Sequence, residues 1–315
     1  MIVEPKQFDL NNAYPNVLLV GNGVLRSLAA MNNVTCRSWP ESLLNLSTNP
    51  LTEVEKEGLK AVPYSVQATV IAPTVDRERK DKYIKEFETL TIKDRSLLAD
   101  LVSLKFDSIL TTNYTYEIED CFHPKFSTIK NKSAFVGQIE RRSIKEKTDS
   151  KYLLHTFNQF KNSPPIWHIH GEKRRKSSII LTHDEYARLV CELIEENKIN
   201  RNKYVDFENE VKYKSWLDYF LMSNLYIVGF GMDFSEFDIW WMLNRRKREN
   251  QRKGEITYFK TIYDDSRIIN ALCRLDVNIQ EFNIKAYDRT TYYIEFYKRV
   301  TDYINNKLKP SKGVL

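Results

Sequence analysis

The chain has 315 residues, 42% of them hydrophobic and 29% charged, with only 9 glycines and 10 prolines. That composition supports a real core and excludes a disordered chain, and the length fits one large domain or a domain carrying a sizeable insertion. A net charge of +6 permits an anionic ligand such as a dinucleotide or a nucleic acid without demanding one. Cys36, Cys121, Cys191 and Cys273 are scattered, and none forms a Cys-x-x-Cys pair. This argues against a zinc ribbon and for reduced thiols. The first residues lack the long apolar stretch of a signal peptide, and no apolar run is long enough to span a bilayer, so a cytoplasmic location is expected.

In chain order, Asn16–Val20 reads as a short buried strand that runs into Gly21-Asn22-Gly23 and then a helix start at Val24–Leu28. Strand, glycine turn and helix open a nucleotide-binding α/β unit. The same turn also serves folds with no ligand, and Arg26 stands where the dinucleotide fingerprint has its third glycine. Residues 33–104 read as a largely helical insertion, broken by Pro40, Pro50, Pro63 and Pro73. An apolar strand from Phe106 then ends in Thr111-Thr112-Asn113-Tyr114, with a helix from Glu117. Asn113 suits a site at the strand end, although on its own an N-cap or turn is the favoured use of an Asn there.

Within 125–160, Ser133–Gly137 and Tyr152–Leu154 are candidate short strands. Ile166-Trp167-His168-Ile169-His170-Gly171 follows: an apolar lead-in, a terminal histidine and a glycine at once. After the basic loop 173–176 and the apolar run Ser178–Thr182, helices are expected over Asp184–Glu196 and Asp206–Leu221. Asn224–Val228 is a clear strand leading to Gly229-Phe230-Gly231 and a helix capped by Ser235. Strands over 255–263 and 277–282, helices over 266–275 and 290–308, and a frayed tail over 309–315 complete the pattern.

Strands alternating with helices predict an α/β fold, a Rossmann-like parallel sheet with helices on both faces. Four strands end in polar or glycine-rich turns, at Gly21–Gly23, Thr111–Asn113, His170–Gly171 and Gly229–Gly231. A parallel sheet places those ends along one edge, where α/β proteins put their chemistry. His168 and His170, two apart on an extended strand, would point the same way. No third ligand lies at an obvious spacing, so no metal is expected, and His168 is assigned a supporting role. Asp233, Glu236 and Asp238 are read as acids favouring a helix N-terminus, with contact to a ribose hydroxyl as the other reading.

The order of these motifs, Gly-Asn-Gly, Thr-Thr-Asn-Tyr, His-Gly and Gly-Phe-Gly before an acidic helix, resembles the sirtuin-like domain of bacterial NAD-hydrolysing antiphage defence proteins. The resemblance implies a Rossmann-like fold, NAD as substrate, and cleavage to nicotinamide and ADP-ribose. It implies Asn113 and His170 as catalytic residues. It implies a cofactor-binding set of Gly21, Asn22, Gly23, Thr111, Thr112, Tyr114, Gly171, Gly229, Phe230 and Gly231. In that set Gly21 and Gly23 would accept the diphosphate, and Gly229 and Gly231 would line the adenosine side. Two departures stand out. Thr115 replaces an Asp that the family often has, and the zinc cysteines of the deacylase branch are absent. A chain given over to the core and its insertion leaves little for a sensor, so control by self-assembly, by an activating partner protein, or by both is expected. The alternative is a non-catalytic NAD- or nucleotide-binding module of a larger complex. Nucleic acid is a third possibility, resting on the basic runs 173–176 and 245–248 alone, with no reader motif.

Overall fold

The computed structural model of the chain describes residues 7–9, 14–47, 50–72, 75, 77–88, 92–124, 126–128, 139–143, 152–205, 210–249 and 254–309. The first half runs β1 (Gln7–Asp9), β2 (Asn16–Val20), α1 (Asn22–Met31), α2 (Trp39–Leu43), α3 (Glu53–Leu59), α4 (Tyr64–Ile71), α5 (Arg77–Glu88), α6 (Ser96–Val102), β3 (Ser108–Thr111) and α7 (Glu117–Phe122). Then come β4 (Ile139–Ser143), β5 (Thr156–Phe160), β6 (Ile166–His168), α8 (His183–Val205), β7 (Glu210–Lys212) and α9 (Trp216–Met222). The chain closes with β8 (Asn224–Val228), α10 (Phe237–Glu249), β9 (Ile256–Lys260), α11 (Ser266–Arg274), β10 (Val277–Glu281) and α12 (Arg289–Leu308).

Among the described residues the main sheet has eight strands in the order β10-β9-β8-β2-β3-β6-β5-β4. Pairing is parallel from β10 through to β6, while β5 and β4 are added antiparallel. This is a Rossmann-like α/β sheet. From β2 the chain moves one way to β3 and β6, then returns to the other side of β2 with β8. The order therefore reverses between β2 and β8, the kind of point at which open α/β sheets bind ligands. The four strands with polar or glycine-rich ends, β8, β2, β3 and β6, are consecutive neighbours.

Alternation along the strands builds a core on each face. Val17 and Leu19 point into one core with Trp167, Leu225, Ile227 and the helices α8 to α11. Leu18 and Val20 point into the other with Ile109, Ile166, Val228 and the helices α1, α6, α7 and α12. Strands buried on both faces read as continuous apolar runs, as these do. A third, smaller core joins Leu43, Leu46, Ala68, Tyr83 and Ile84 of α2 to α5 to Ile179 and Leu181. The helices between β2 and β3 thus roof the segment after Gly171. No helix among the described residues is long and apolar enough to cross a membrane.

Several expectations fail locally. Tyr152–Leu154 is a turn, with Leu153 in the left-handed region at φ 53° and all three side chains buried; the strand begins at Thr156. No helix spans Asp206–Leu221: β7 pairs with β1, and α9 starts only at Trp216. The Asp218 carboxylate accepts from the Lys214 and Ser215 amides, which fixes that start. Helix α8 runs on to Val205, past the expected Glu196. Arg246 leaves the basic run expected to be solvated and is buried, donating to the carbonyls of Phe220, Ser223 and Gly254. Ser133–Gly137 and residues 310–315 lie outside the described residues.

Candidate active site

At the carboxyl edge of β2, β3 and β6 lies a cavity. Its floor comes from the strand ends. Asn22 follows β2, Thr112 to Thr115 follow β3, and His170 follows β6. Its walls are Trp39 of α2, Tyr83 of α5, Tyr186 of α8 and Glu236 just before α10. Five of the expected residues, Asn22, Thr112, Asn113, Tyr114 and His170, therefore share one cavity.

Asn113 is held by its backbone. Its amide donates to Thr111 Oγ1, itself tied to the Val20 carbonyl, and its carbonyl accepts from His168 Nδ1 at 2.6 Å. Its side-chain amide makes no hydrogen bond among the described residues, which leaves both its donor and its acceptor for a ligand. Thr111 is fully buried and acts through this scaffold. Tyr114 donates to the Ile180 carbonyl and packs edge-on against Tyr83. Thr115, where the related pattern has Asp, gives its hydroxyl to Glu117, whose carboxyl is pushed up by burial.

His168 and His170 do not form a pair. Strand β6 ends at His168 and Gly171 takes φ 94°, and the rings meet different cores, His168 against Tyr116 and His170 against Tyr186. His168 lies beside Tyr116 and Glu119, with Nε2 2.8 Å from the Glu119 carboxylate. With both ring nitrogens facing acceptors it is an imidazolium. Burial opposes the charge, but Glu119 outweighs it and raises the pKa to about 9. His168 thus props up Asn113 from behind.

His170 is 2% exposed and stands between two acids. Its Nε2 is 2.9 Å from Asp238 Oδ2, on α10 and away from the cavity. Its Nδ1 is 3.5 Å from Glu236 Oε2, on the cavity side. Burial alone would push the imidazole pKa down; Asp238 and Glu236 outweigh it and hold it above its ordinary value. Glu236 is raised to about 7, chiefly by burial, against the pull of His170. The tyrosine hydroxyl of Tyr186 donates to Glu236 Oε2 at 3.3 Å, and its ring meets His170 edge-on. The Nδ1–Glu236 edge of the ring faces the cavity, while Asp238 fixes the ring from behind. Ligand-type atoms of His170, Glu236 and Asp238 all lie within 4.8 Å of one another, a spacing compatible with one divalent cation as well as with shared protons.

The glycines behave differently from expectation. The Gly21 amide donates to Val228 O at 2.9 Å and the Gly23 amide to Gly229 O at 2.7 Å. Both are engaged in tying α1 to the end of β8, so neither is open to a diphosphate. A Cβ at Gly21 would meet Gly229 O at 2.5 Å and the Phe230 ring at 2.6 Å. Close chain approach explains this glycine, with Phe230 as a buried packing partner. Gly171 is required by its φ and by the Ser178 carbonyl, which any Cβ at that position would overlap. Gly231 is exposed with open space around it. None of these glycines lines the cavity.

Reading Asp233, Glu236 and Asp238 as helix-end charges understates two of them, since Glu236 and Asp238 meet His170. The available signal was three acids within eight residues of a glycine turn at a strand end. Trp39, Tyr83 and Tyr186 had no such signal. The SIR2-like domain family matches the chain over residues 107–279. A search of curated proteins gave no match.

Proposed function

The chain belongs to the SIR2-like domain family, and on that footing we propose that it hydrolyses NAD to nicotinamide and ADP-ribose. Membership points to NAD as the ligand; hydrolysis is the reading we add from the cavity. The observation that carries it is the meeting of an uncommitted amide, Asn113, with His170 at the ends of the adjacent strands β3 and β6.

The C1′–nitrogen bond breaks with its electron pair moving onto the ring nitrogen. Nicotinamide leaves neutral, so no acid has to protonate it, and positive charge grows on the ribose. Asn113 holds the attacking water through its carbonyl oxygen and the ribose through its NH2. Water adds to C1′, and its proton passes to the His170–Glu236 pair. Asp238 keeps the imidazole oriented, the part that a buried acid plays behind a working histidine. The roof from α2, α4 and α5 keeps bulk water away. With the Gly21 and Gly23 amides engaged, Asn22 is the member of that turn assigned to the ligand.

Incubating the purified protein with NAD and separating the products by chromatography tests this, alongside His170→Ala and Asn113→Ala. Nicotinamide and ADP-ribose from the wild type, with a loss of at least about 100-fold in either variant, is the expected result. Variants that match an active wild type would sink the assignment. One observation favours a second reading, binding without turnover: both His170 nitrogens already face carboxylates. In that case the variants change NAD affinity and no product forms. The wider role proposed is an antiviral effector restrained by a partner or by self-assembly. A monomer fully active alone would contradict that restraint.

A further inference from the structure

Buried carboxylates are met by a cationic side chain or hold a metal ion. Glu236 and Asp238 are both buried, and among the described residues neither pairs with a lysine or arginine; the ion-pair partner of each is His170. Asp238 Oδ2 meets His170 Nε2 at 2.9 Å, but Asp238 Oδ1 is buried with no hydrogen-bond partner. Glu236 Oε2 accepts from the Tyr186 hydroxyl at 3.3 Å. The cluster thus has more acceptor oxygens than donors to meet them, and one of those oxygens is an orphan cut off from water.

Its spacing approaches that of a chelate. One ligand-type atom from each of His170, Glu236 and Asp238 lies within 4.8 Å of the other two. Ligands about 2.0–2.2 Å from a zinc-sized ion stand about 3–4 Å apart, so side-chain shifts of about 1 Å close the set around one ion. His170 and Glu236 line the cavity, which gives an ion a way in. Spacing along the chain offers no third ligand beside His168 and His170; the fold brings two to His170 and leaves His168 with Glu119. No cysteine belongs to the set. One imidazole with carboxylates suits a first-row divalent ion such as Zn²⁺ or Mn²⁺.

We propose that His170, Glu236 and Asp238 together bind one divalent transition-metal ion, and that this ion and NAD turnover exclude each other. A neutral imidazole has one nitrogen lone pair. Given to the ion, it no longer takes the proton of the attacking water, and Glu236, its neighbour at the cavity wall, is engaged as well. The ion is then a brake on the reaction. The binding half stands by itself; the exclusion half rests on the hydrolase reading.

Direct binding tests the site without turnover. Titration calorimetry of chelator-stripped protein with Zn²⁺ is expected to give one ion per chain. Co²⁺, as a visible stand-in, should show the absorption of nitrogen and oxygen ligands with no thiolate charge-transfer band. Asp238→Asn and Glu236→Gln should each weaken Zn²⁺ at least about tenfold, and His183→Gln, outside the set, less than about twofold. Anomalous diffraction at the zinc edge reads the same site in wild type, should a variant fail to fold, and is expected to place the ion among the three side chains. Equimolar Zn²⁺ should cut NAD turnover at least about tenfold, with recovery in excess EDTA. No bound ion, an ion lodged elsewhere, or an affinity indifferent to both substitutions would overturn the proposal, as would turnover that requires the ion. Zn²⁺ bound through these residues in a protein that never releases nicotinamide would support the site and sink the hydrolase reading alone.

Discussion

His170 and Asp238 stand 68 residues apart in sequence, and their Nε2 and Oδ2 atoms lie 2.9 Å apart, buried behind the cavity. The contact decides which nitrogen of the imidazole can work. With Nε2–H given to Asp238, Nδ1 is the one turned to the cavity side.

Asp238→Asn tests that orientation with little change of shape. An amide at this position no longer specifies the tautomer or balances the imidazolium. NAD turnover is expected to drop by about 100-fold or more, with circular dichroism unchanged. A loss below about threefold would reduce Asp238 to a packing partner.

Stability should depend on pH through His168. Its folded-state pKa is raised, so the folded chain binds the proton more tightly than the unfolded chain. That stabilisation is whole below the ordinary histidine value near 6.5 and drains away as pH rises through about 9. Thermal midpoints are expected to fall across this window. Glu119→Gln should start lower and run flatter, because the Glu119 carboxylate is what raises the histidine. A wild-type midpoint that is level from about pH 6 to 9 would contradict the ion pair.

Two glycines of one turn should answer differently to alanine. Gly229 has φ 65°, and a Cβ there would stand 2.7 Å from the Val24 side chain and 2.8 Å from its amide nitrogen. Gly229→Ala is expected to cost about 2 kcal/mol or more in urea unfolding. Gly231→Ala has open space and should stay within about 0.5 kcal/mol of wild type. Equal costs would mean the turn adjusts freely.

The roof is pinned by a buried ion pair. Lys80 of α5 donates to Glu185 Oε1 at 2.6 Å and to the Ile179 carbonyl at 2.5 Å, while Glu185 Oε2 accepts from the Leu181 and Thr182 amides. Lys80→Met removes the cation of the pair and leaves the Glu185 carboxylate to its amide contacts, an expected cost of about 3 kcal/mol. NAD should also bind more weakly, since Tyr83 sits one turn along the same helix. Unchanged stability in a denaturant titration would show the pair to be dispensable.

Much of this site was legible because it is written in strand ends. Apolar runs that stop at Gly21, Thr111, His170 and Gly229 announce a parallel sheet and its edge, and those four strands prove to be neighbours. The local pattern could not say what the third dimension brings to them. Asp238 and Glu236 have an ordinary reason to sit near a helix start, and nothing near them names His170. The two-residue rule for His168 and His170 assumed a strand that continues, whereas β6 stops at His168. The glycine amides illustrate a further limit. Gly21 and Gly23 are needed, but for the approach of β8 rather than for an open anion site.

The segment 179–185 serves two masters. Ile180 donates to the His170 carbonyl at 3.0 Å, while Lys80 grips its flanks at Ile179 and Glu185. A shift of this segment would therefore disturb at once the roof contact of α5 and the backbone after β6 that carries His170.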